Sequence, residues 1–179
     1  VMQAKTESEQ KQNIAMLFDL VKMSRQLESA LTIVKDRETS NGGFTWFKNG
    51  PDDRFITQYI VADIGHLKKL NGWPKSDAVV LQSLAGKALK YLDARIVEDY
   101  EKLKKSKVDM DQNQLSTMVS HYLYTRSFFP EHNVTANAGI AYNYYFGQAK
   151  KYWLQQSTYD QGMIALTMFR NGELQTAQA

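Results

Sequence analysis

Residues 41–54 read NGGFTWFKNGPDDR and form the one long interruption in a sequence pattern that is otherwise helical. Gly42 and Gly43 can both adopt positive φ, so the backbone at this point can turn sharply and approach another segment closely. Pro51 restricts the backbone further along the same stretch. The stretch therefore predicts a tight and rigid loop between two helices.

Three large aromatic side chains follow the glycines, namely Phe44, Trp46 and Phe47. Each ring buries a large apolar area when it is covered, so we expect the loop to dock these rings against helices. Asp52 or Asp53 is then expected to accept hydrogen bonds from backbone N–H groups at the start of the next helix, where negative charge also suits the helix dipole. The predicted structural loop is built on Gly42, Gly43, Phe44, Trp46, Phe47 and Asp53.

The composition limits the chemistry that the chain can carry. Its 179 residues are enough for a single domain with a buried core. The absence of cysteine excludes disulfides, thiolate catalysis and zinc–thiolate sites within these residues. The 22 Lys and Arg residues nearly balance the 19 Asp and Glu residues, without a basic stripe of the kind that binds nucleic acid. No apolar run reaches the ~20 residues of a membrane-spanning helix. We therefore predict no nucleic-acid partner and no direct insertion into a membrane.

Apolar residues recur at helical spacing along most of the chain. Ile14, Leu17, Phe18 and Val21 form one such face, followed by a second helix or by a continuation with a break near Ser24. No strand-like alternation competes with this spacing, so the sequence predicts an all-α fold of antiparallel helical hairpins. The longest amphipathic stretch predicts one helix with Leu81, Leu84, Ala85, Ala88, Leu89, Leu92, Ile96 and Leu103 on its inward face.

Residues that favour helix ends divide this pattern into elements. The Asn-Gly pair at 71–72 is expected to end the helix that follows the loop. Asp111, with Gln114 three residues later, resembles a capping box that opens a later helix. Thr135 and Ser157 are expected to cap the two helices after it.

Few side chains in the sequence point to catalysis. Asp63 and His66 lie one helical turn apart and could share a proton or a metal ion, but two ligands do not complete a metal site. Asp52 and Asp53 are adjacent acids before a helix, which more often form a cap than an acid–base pair. His121 is expected at a helix surface or an interface. No nucleophile elbow, phosphate-binding loop or dinucleotide fingerprint is present. We predict a non-enzymatic helical domain without catalytic residues, cofactor or metal.

Several stretches resemble bacterial alpha-2-macroglobulin proteins, in particular the helical thioester domain of the large Bacteroides-type members. The most specific are the aromatic loop at 41–47, residues 53–60, which read DRFITQYI, and residues 65–70, which read GHLKKL. The resemblance extends along nearly the whole chain through residues 8–12, 14–20, 88–93, 148–154 and 163–166.

The resemblance implies an α/α toroid, in which helical hairpins alternate between inner and outer layers, and a role in trapping proteases. In that family, cleavage of a bait region exposes an internal thioester that acylates the protease, and a Cys-x-Glu-Gln pattern supplies the thioester. Residues 7–10 (ESEQ) imitate this pattern, but Glu7 stands where the thiol is required. No functional residue of the family therefore transfers to this sequence. The reactive motif of the parent, if it has one, is expected upstream of Val1.

These observations lead to one main hypothesis. Residues 1–179 are expected to be a helical excerpt of a larger alpha-2-macroglobulin-like chain, acting as a non-enzymatic scaffold segment of a protease-trapping protein, that is, an endopeptidase inhibitor. The resemblance places it in the cell envelope, periplasmic or at the cell surface, or outside the cell. Its partners would be other domains of the parent chain and, through the parent, target proteases. An excerpt of a toroid would also expose inner-face apolar residues and self-associate.

Two other hypotheses remain at this stage. The first is an α/α-toroid enzyme acting on glycans or isoprenoids, with Asp52, Asp53 and Asp63 as its carboxylates. It requires these acids to meet in one concave pocket. The second is a helical adaptor that binds a peptide in a groove, which requires an exposed apolar seam.

Overall fold

The computed structural model describes residues 7–70 and 77–178, and its fold is all-α as predicted. The α-helices are α1 (Glu7–Asp36), α2 (Arg54–Lys69), α3 (Ala78–Lys105), α4 (Thr117–Arg126), α5 (Ala136–Tyr152), α6 (Thr158–Arg170) and α7 (Leu174–Gln178), with a 3-10 turn at Trp153–Gln155. Two short strands, β1 (Phe44–Thr45) and β2 (Asp52–Asp53), pair antiparallel inside the loop at 41–54. Within the described part of the chain, no helix has the length and apolar character needed to cross a membrane.

The chain divides into two compact units, Val1–Arg37 and Glu38–Ala179. The first unit contains α1, which runs unbroken through Ser24, so the break predicted there is wrong. Large apolar side chains of α1 are exposed, including the predicted face of Ile14, Leu17, Phe18 and Val21. Self-association through such surface stays a prediction, to be checked by sedimentation of the chain over a range of concentrations.

Helices of the second unit form two rows. Helices α2, α4 and α6 make one row, in which α2 packs against α4 and α4 packs against α6. Helices α3 and α5 pack against each other, and α3 also contacts α2 and α4. Successive helices from α2 to α6 thus alternate between the rows, as helical hairpins require. Closure of such rows into a toroid stays a prediction.

Helices α2 and α4 run parallel, because contacts join their N-terminal ends and, separately, their C-terminal ends. Gln58 Nε2 donates a hydrogen bond to the carbonyl oxygen of Met118 at 3.1 Å near the first end. Tyr124 Oη lies 2.8 Å from His66 Nε2 nearer the other end. The two helices therefore present side chains to the same surface along their length.

Helices α4 and α6 run parallel for the same reason. Thr117 Oγ1 donates to Asp160 Oδ2 at 3.0 Å near the N-terminal ends. Arg170 Nη1 donates to Ser127 Oγ at 3.0 Å near the C-terminal ends. Three parallel helices consequently share one row, with their N-termini at the same end.

The core faces differ between α3 and α4. Helix α3 buries the predicted residues Leu81, Leu84, Ala85, Ala88, Leu89, Leu92 and Ile96, and partly buries Leu103. Helix α4 buries every residue from Val119 to Arg126, because α2, α3, α5 and α6 all pack around it. The polar residues of α4 must therefore find partners inside the protein.

A buried ionic network joins α3 to α4. Arg126 Nη2 lies 3.2 Å from Asp93 Oδ2, and both side chains are 4% exposed. The Tyr122 hydroxyl donates to Asp93 Oδ1 at 2.7 Å. Burial raises the pKa of Asp93, whereas Arg126 and Tyr122 oppose this rise by favouring the carboxylate. The Asp93 carboxylate thus depends on these two partners to offset its lost hydration.

The capping box predicted at Asp111 is wrong, because α4 begins five residues later. Ser116 is the N-cap, and its Oγ accepts a hydrogen bond from the Val119 N–H at 3.3 Å. The Asp111 N–H instead donates to Asp109 Oδ1 at 2.9 Å, and the Gln114 amide donates to the Asp109 carbonyl oxygen at 3.1 Å. These residues stabilise a turn that precedes the helix.

Other predicted helix ends agree with the structure. Thr135 caps α5 by accepting a hydrogen bond from the Ala138 N–H, and Ser157 caps α6 by accepting one from the Asp160 N–H. Each cap satisfies a backbone donor that the first turn of a helix leaves without a partner. The end predicted at 71–72 lies outside the described residues.

We expect Gly42→Ala to destabilise the protein by about 2–4 kcal/mol, as measured by denaturant unfolding. Gly42 has a φ of +87°, and a Cβ at this position would lie 2.6 Å from the carbonyl oxygen of Lys87. Gly172 is the matched control, since its φ is +80° but a Cβ there would meet open space. Gly172→Ala should therefore lower the free energy of unfolding only through the strain of a positive φ, by about 1–2 kcal/mol. Equal losses at the two positions would contradict the close approach to Lys87.

Candidate functional site

The loop at 41–54 is attached to α2 through Thr57. The Phe44 N–H donates to Thr57 Oγ1 at 2.8 Å, and Thr57 Oγ1 in turn donates to the Asp53 carbonyl oxygen at 2.6 Å. Asp53 is the N-cap of α2, and its Oδ1 accepts a hydrogen bond from the Ile56 N–H at 3.0 Å. The capping role predicted for Asp53 is confirmed. The conformation of the loop and the start of α2 therefore stabilise each other.

The three aromatic rings of the loop do not share one environment. Phe44 is fully buried, whereas Trp46 is 55% and Phe47 is 62% exposed. The expectation that all three rings dock against helices is therefore wrong for Trp46 and Phe47. Both rings follow the buried strand β1, and a backbone hydrogen bond from Gly50 to Phe47 turns the chain back there. They lie at the tip of the loop, where more than half of each side chain is exposed.

Close packing explains the second glycine of the loop. A Cβ on Gly43 would lie 2.9 Å from Asp52 Cβ and 2.9 Å from the ring of Tyr91. The Tyr91 hydroxyl beside the Asp52 carboxylate lowers the pKa of Asp52. Asp52 therefore contributes to the structure of the loop through Tyr91.

The exposed face of the row formed by α2, α4 and α6 carries a groove of about 390 Å³. This volume lies in the range of roughly 300–1,000 Å³ that is typical of small-ligand sites. Each helix contributes polar or aromatic side chains, chiefly Tyr59, Asp63 and His66 from α2, His121 and Tyr124 from α4, and Tyr159 from α6. We call this surface the aromatic groove.

Contacts between side chains hold the rings of the aromatic groove in place. The Tyr59 and His121 rings meet edge to face with centroids 4.5 Å apart, and the His121 and Tyr124 rings are 6.3 Å apart. Interaction with the Tyr59 hydroxyl raises the pKa of the Tyr159 hydroxyl to about 12. This last contact joins α2 to α6. The rings therefore form a preorganised surface.

The exposed rings of the loop lead towards the aromatic groove. Trp46 stacks on Phe55 with centroids 6.1 Å apart, and Phe55 lies 4.5 Å from Tyr59. A continuous series of aromatic contacts thus connects the tip of the loop to the groove. The sequence predicts a tight and rigid loop, but the spacing of its aromatic residues does not indicate that they contact the groove.

The carboxylates proposed for an enzyme do not meet at one place. Asp53 caps α2 and Asp52 lies beside the Tyr91 hydroxyl, so both belong to the loop. Only Asp63 lines the aromatic groove. No hydrogen bond joins Asp63 to His66 among the described residues, and His66 Nε2 instead lies 2.8 Å from the Tyr124 hydroxyl. Among the described residues, no group of three or more acids and histidines is placed to hold a metal ion.

His121 is expected at a helix surface or an interface, and it lies buried where α4 contacts α2. Only 5% of the residue is exposed. Burial lowers the pKa of His121 to about 4, because the protonated imidazole would lose its hydration, and the negative charge of Asp160 offsets only part of this. His121 is therefore neutral at neutral pH.

We expect His121 to make stability dependent on pH. Its pKa is about 4 in the folded protein and about 6.5 in the unfolded chain, so the unfolded state binds more protons between these values. The contribution should be complete above about pH 6.5 and fall as the pH drops towards 4, by about 1–3 kcal/mol. Urea unfolding is measured for the wild type and for His121→Gln at pH 7 and pH 4.5. Acids titrate in both proteins, so the difference between their losses of stability gives the contribution of His121. A His121 imidazole that titrates near pH 6.5 by NMR would contradict it.

Comparison with family models, with curated proteins and with solved structures finds no match to this chain. The fold and the groove define the class of the molecule as an all-α protein in which three parallel helices present a preorganised aromatic surface. The resemblance carried by residues 41–47, 53–60 and 65–70 is the starting point for a proposal on function.

Proposed function

We propose that this chain is a non-enzymatic scaffold segment of a bacterial alpha-2-macroglobulin-like protein that traps proteases. The observation that carries the proposal is the construction of the loop at 41–54, the most specific part of the resemblance. Phe44 is buried, Gly42 approaches the backbone of Lys87, and Asp53 caps α2. These features make the loop an architectural element. The alternation of helices between two rows also suits a segment of an α/α toroid.

The placement of the acids favours a scaffold over the alternative, an α/α-toroid enzyme acting on glycans or isoprenoids. Such an enzyme needs carboxylates that converge on one pocket. Asp52 and Asp53 instead support the loop, and Asp63 faces the groove without either of them. On our proposal the segment requires no cofactor. It works in the cell envelope or outside the cell, and its partners are other domains of the parent chain and, through them, proteases.

The test uses the full-length parent protein. It is treated with a protease in the presence of methylamine, and its intact mass and its peptides are then measured. A thioester trap should gain one methylamine adduct on a peptide of the parent outside residues 1–179, which themselves stay unmodified. Capture of the protease without an adduct would indicate a steric trap and still support the scaffold role. If the parent neither captures the protease nor gains an adduct, the proposal is overturned.

A conservative variant separates the scaffold from the enzyme. Asp53→Asn keeps a good helix cap and removes the charge, so the parent should trap proteases at an unchanged level. Circular dichroism confirms that the variant is folded. A parent that hydrolyses a glycan or an isoprenoid substrate, and loses this activity in Asp53→Asn or Asp52→Asn, would establish the enzyme instead.

A further inference from the structure

We propose that the aromatic groove binds an arginine side chain presented by a protein segment. The first observation is charge. Asp63 is the one acidic side chain in the lining, which contains no Lys or Arg. Within the part of the chain that the structure describes, Asp63 has no ion pair and no hydrogen-bond partner. The groove therefore presents a carboxylate that has no cationic partner among the described residues.

The second observation is the aromatic surface around this carboxylate. Tyr59, Tyr124 and Tyr159 line the same groove as Asp63. The face of each ring carries a partial negative charge that attracts a cation. His121 adds no positive charge at neutral pH, because its pKa is about 4. Carboxylate and ring faces thus favour the same kind of ligand, which is an organic cation.

The protein itself already holds one guanidinium in this manner at the C-terminal end of the row. The Arg170 guanidinium lies 3.7 Å from the centroid of the Phe128 ring and 4.9 Å from that of Tyr124, and it donates to Ser127 Oγ. No described cation lies over the rings of Tyr59 or Tyr159 in the same way. The part of the groove around Asp63 remains open to a second guanidinium.

Geometry favours arginine over lysine and over a neutral ligand. A guanidinium is planar, so it can stack on a tyrosine while its N–H groups donate two hydrogen bonds to a carboxylate. An ammonium cannot do both in the same plane. The groove is also open, since Tyr159 is 58% and Leu166 is 45% exposed. A polypeptide segment can therefore lie across it and insert one side chain.

This inference rests on the proposed function for the origin of the partner, and it gives that function a specific contact. A scaffold segment has to hold another domain of the parent, and an exposed arginine on that domain would suit the groove. Binding is measured on the 179-residue chain, whereas trapping is measured on the parent. Failure of one is thus distinguishable from failure of the other.

The experiment is an NMR titration of the 179-residue chain with acetyl-Gly-Arg-Gly-amide, followed through the aromatic signals of Tyr59 and His121. The same peptide with citrulline is the neutral isostere, and the peptide with lysine tests the planar cation. We expect saturable binding of the arginine peptide and at least about tenfold weaker binding of the citrulline peptide. The affinity of the lysine peptide should lie between the affinities of these two peptides.

Two variants locate the binding. Asp63→Asn removes the charge from an exposed side chain and should weaken binding of the arginine peptide about tenfold. Tyr159→Ala removes an exposed ring and should weaken it several-fold. Glu101→Gln, an exposed acid on α3 that pairs with Lys104, is the matched control and should bind as the wild type does.

Four results would overturn the inference. These are no saturable binding at millimolar peptide, equal binding of the citrulline peptide, unchanged affinity in Asp63→Asn, or a lysine peptide that binds as tightly as the arginine peptide. Each of them can occur while the parent still traps proteases, so none depends on the proposed function.

Discussion

Asp93→Asn is expected to destabilise the protein by about 3–5 kcal/mol, because it leaves the Arg126 guanidinium buried without its carboxylate. The two charged side chains are 4% exposed, so water cannot replace the lost partner. Arg126 Nη2 donates to Asp93 Oδ2 at 3.2 Å, and two other guanidinium nitrogens of Arg126 already lack a partner. The loss is measured by urea unfolding at pH 7, with circular dichroism as the readout.

Three controls show whether charge or packing causes this loss. Tyr122→Phe removes one hydrogen bond to Asp93 and should cost about 1–2 kcal/mol. The double variant Asp93→Leu with Arg126→Met removes both charges and should be less destabilised than Asp93→Asn alone. Glu98→Gln breaks an exposed pair with Arg95 and should change stability by less than about 0.5 kcal/mol. An Asp93→Asn loss as small as that of Glu98→Gln would contradict a buried network.

Phe44→Ala should destabilise the protein by about 3–5 kcal/mol, the usual range for removing a fully buried aromatic ring. Phe44 is 0% exposed, and its N–H also bonds to Thr57 at the start of α2. The cavity left by the ring lies where the loop meets the helix, so the loop cannot relax into it without losing these bonds. Denaturant unfolding of the variant gives the free-energy change directly.

Trp46→Ala is the matched comparison, two positions further along the same loop. Because Trp46 is 55% exposed, its removal should cost less than about 1 kcal/mol even though its ring is larger. If Trp46→Ala were as damaging as Phe44→Ala, the rings of the loop would be equally covered and Trp46 would not be available to a partner. A small loss would leave the ring as an exposed extension of the aromatic groove.

Much of the local structure follows from the sequence because local rules govern it. Side-chain oxygens at Asp53, Thr135 and Ser157 satisfy backbone donors within three residues of each cap, so the residue types suffice to predict these helix starts. Helical spacing likewise predicts the buried face of α3, since one side of that helix meets the core. Asp111 shows the limit of a motif, because two helix-favouring residues at cap spacing here stabilise a turn.

The environment of α4 shows why other features were missed. Helical periodicity predicts the buried residues of a helix that has one solvent-exposed face. In α4, however, neighbouring helices surround Val119 to Arg126. Spacing alone therefore leaves His121 open between a helix surface and an interface. The partner of Arg126 lies 33 residues away on α3, a separation that no local pattern indicates.

Local features of the sequence are enough to predict that this chain is all-α, that the loop at 41–54 interrupts its helices, and where α2, α5 and α6 begin. These properties depend on backbone preferences and on hydrogen bonds between near neighbours in the chain. Only the tertiary structure decided that Phe44 is buried while Trp46 is exposed, that Asp93 and Arg126 pair, and that three helices form an aromatic groove. These properties depend on which surfaces meet when α2, α4 and α6 align in parallel, and distant residues then share one environment.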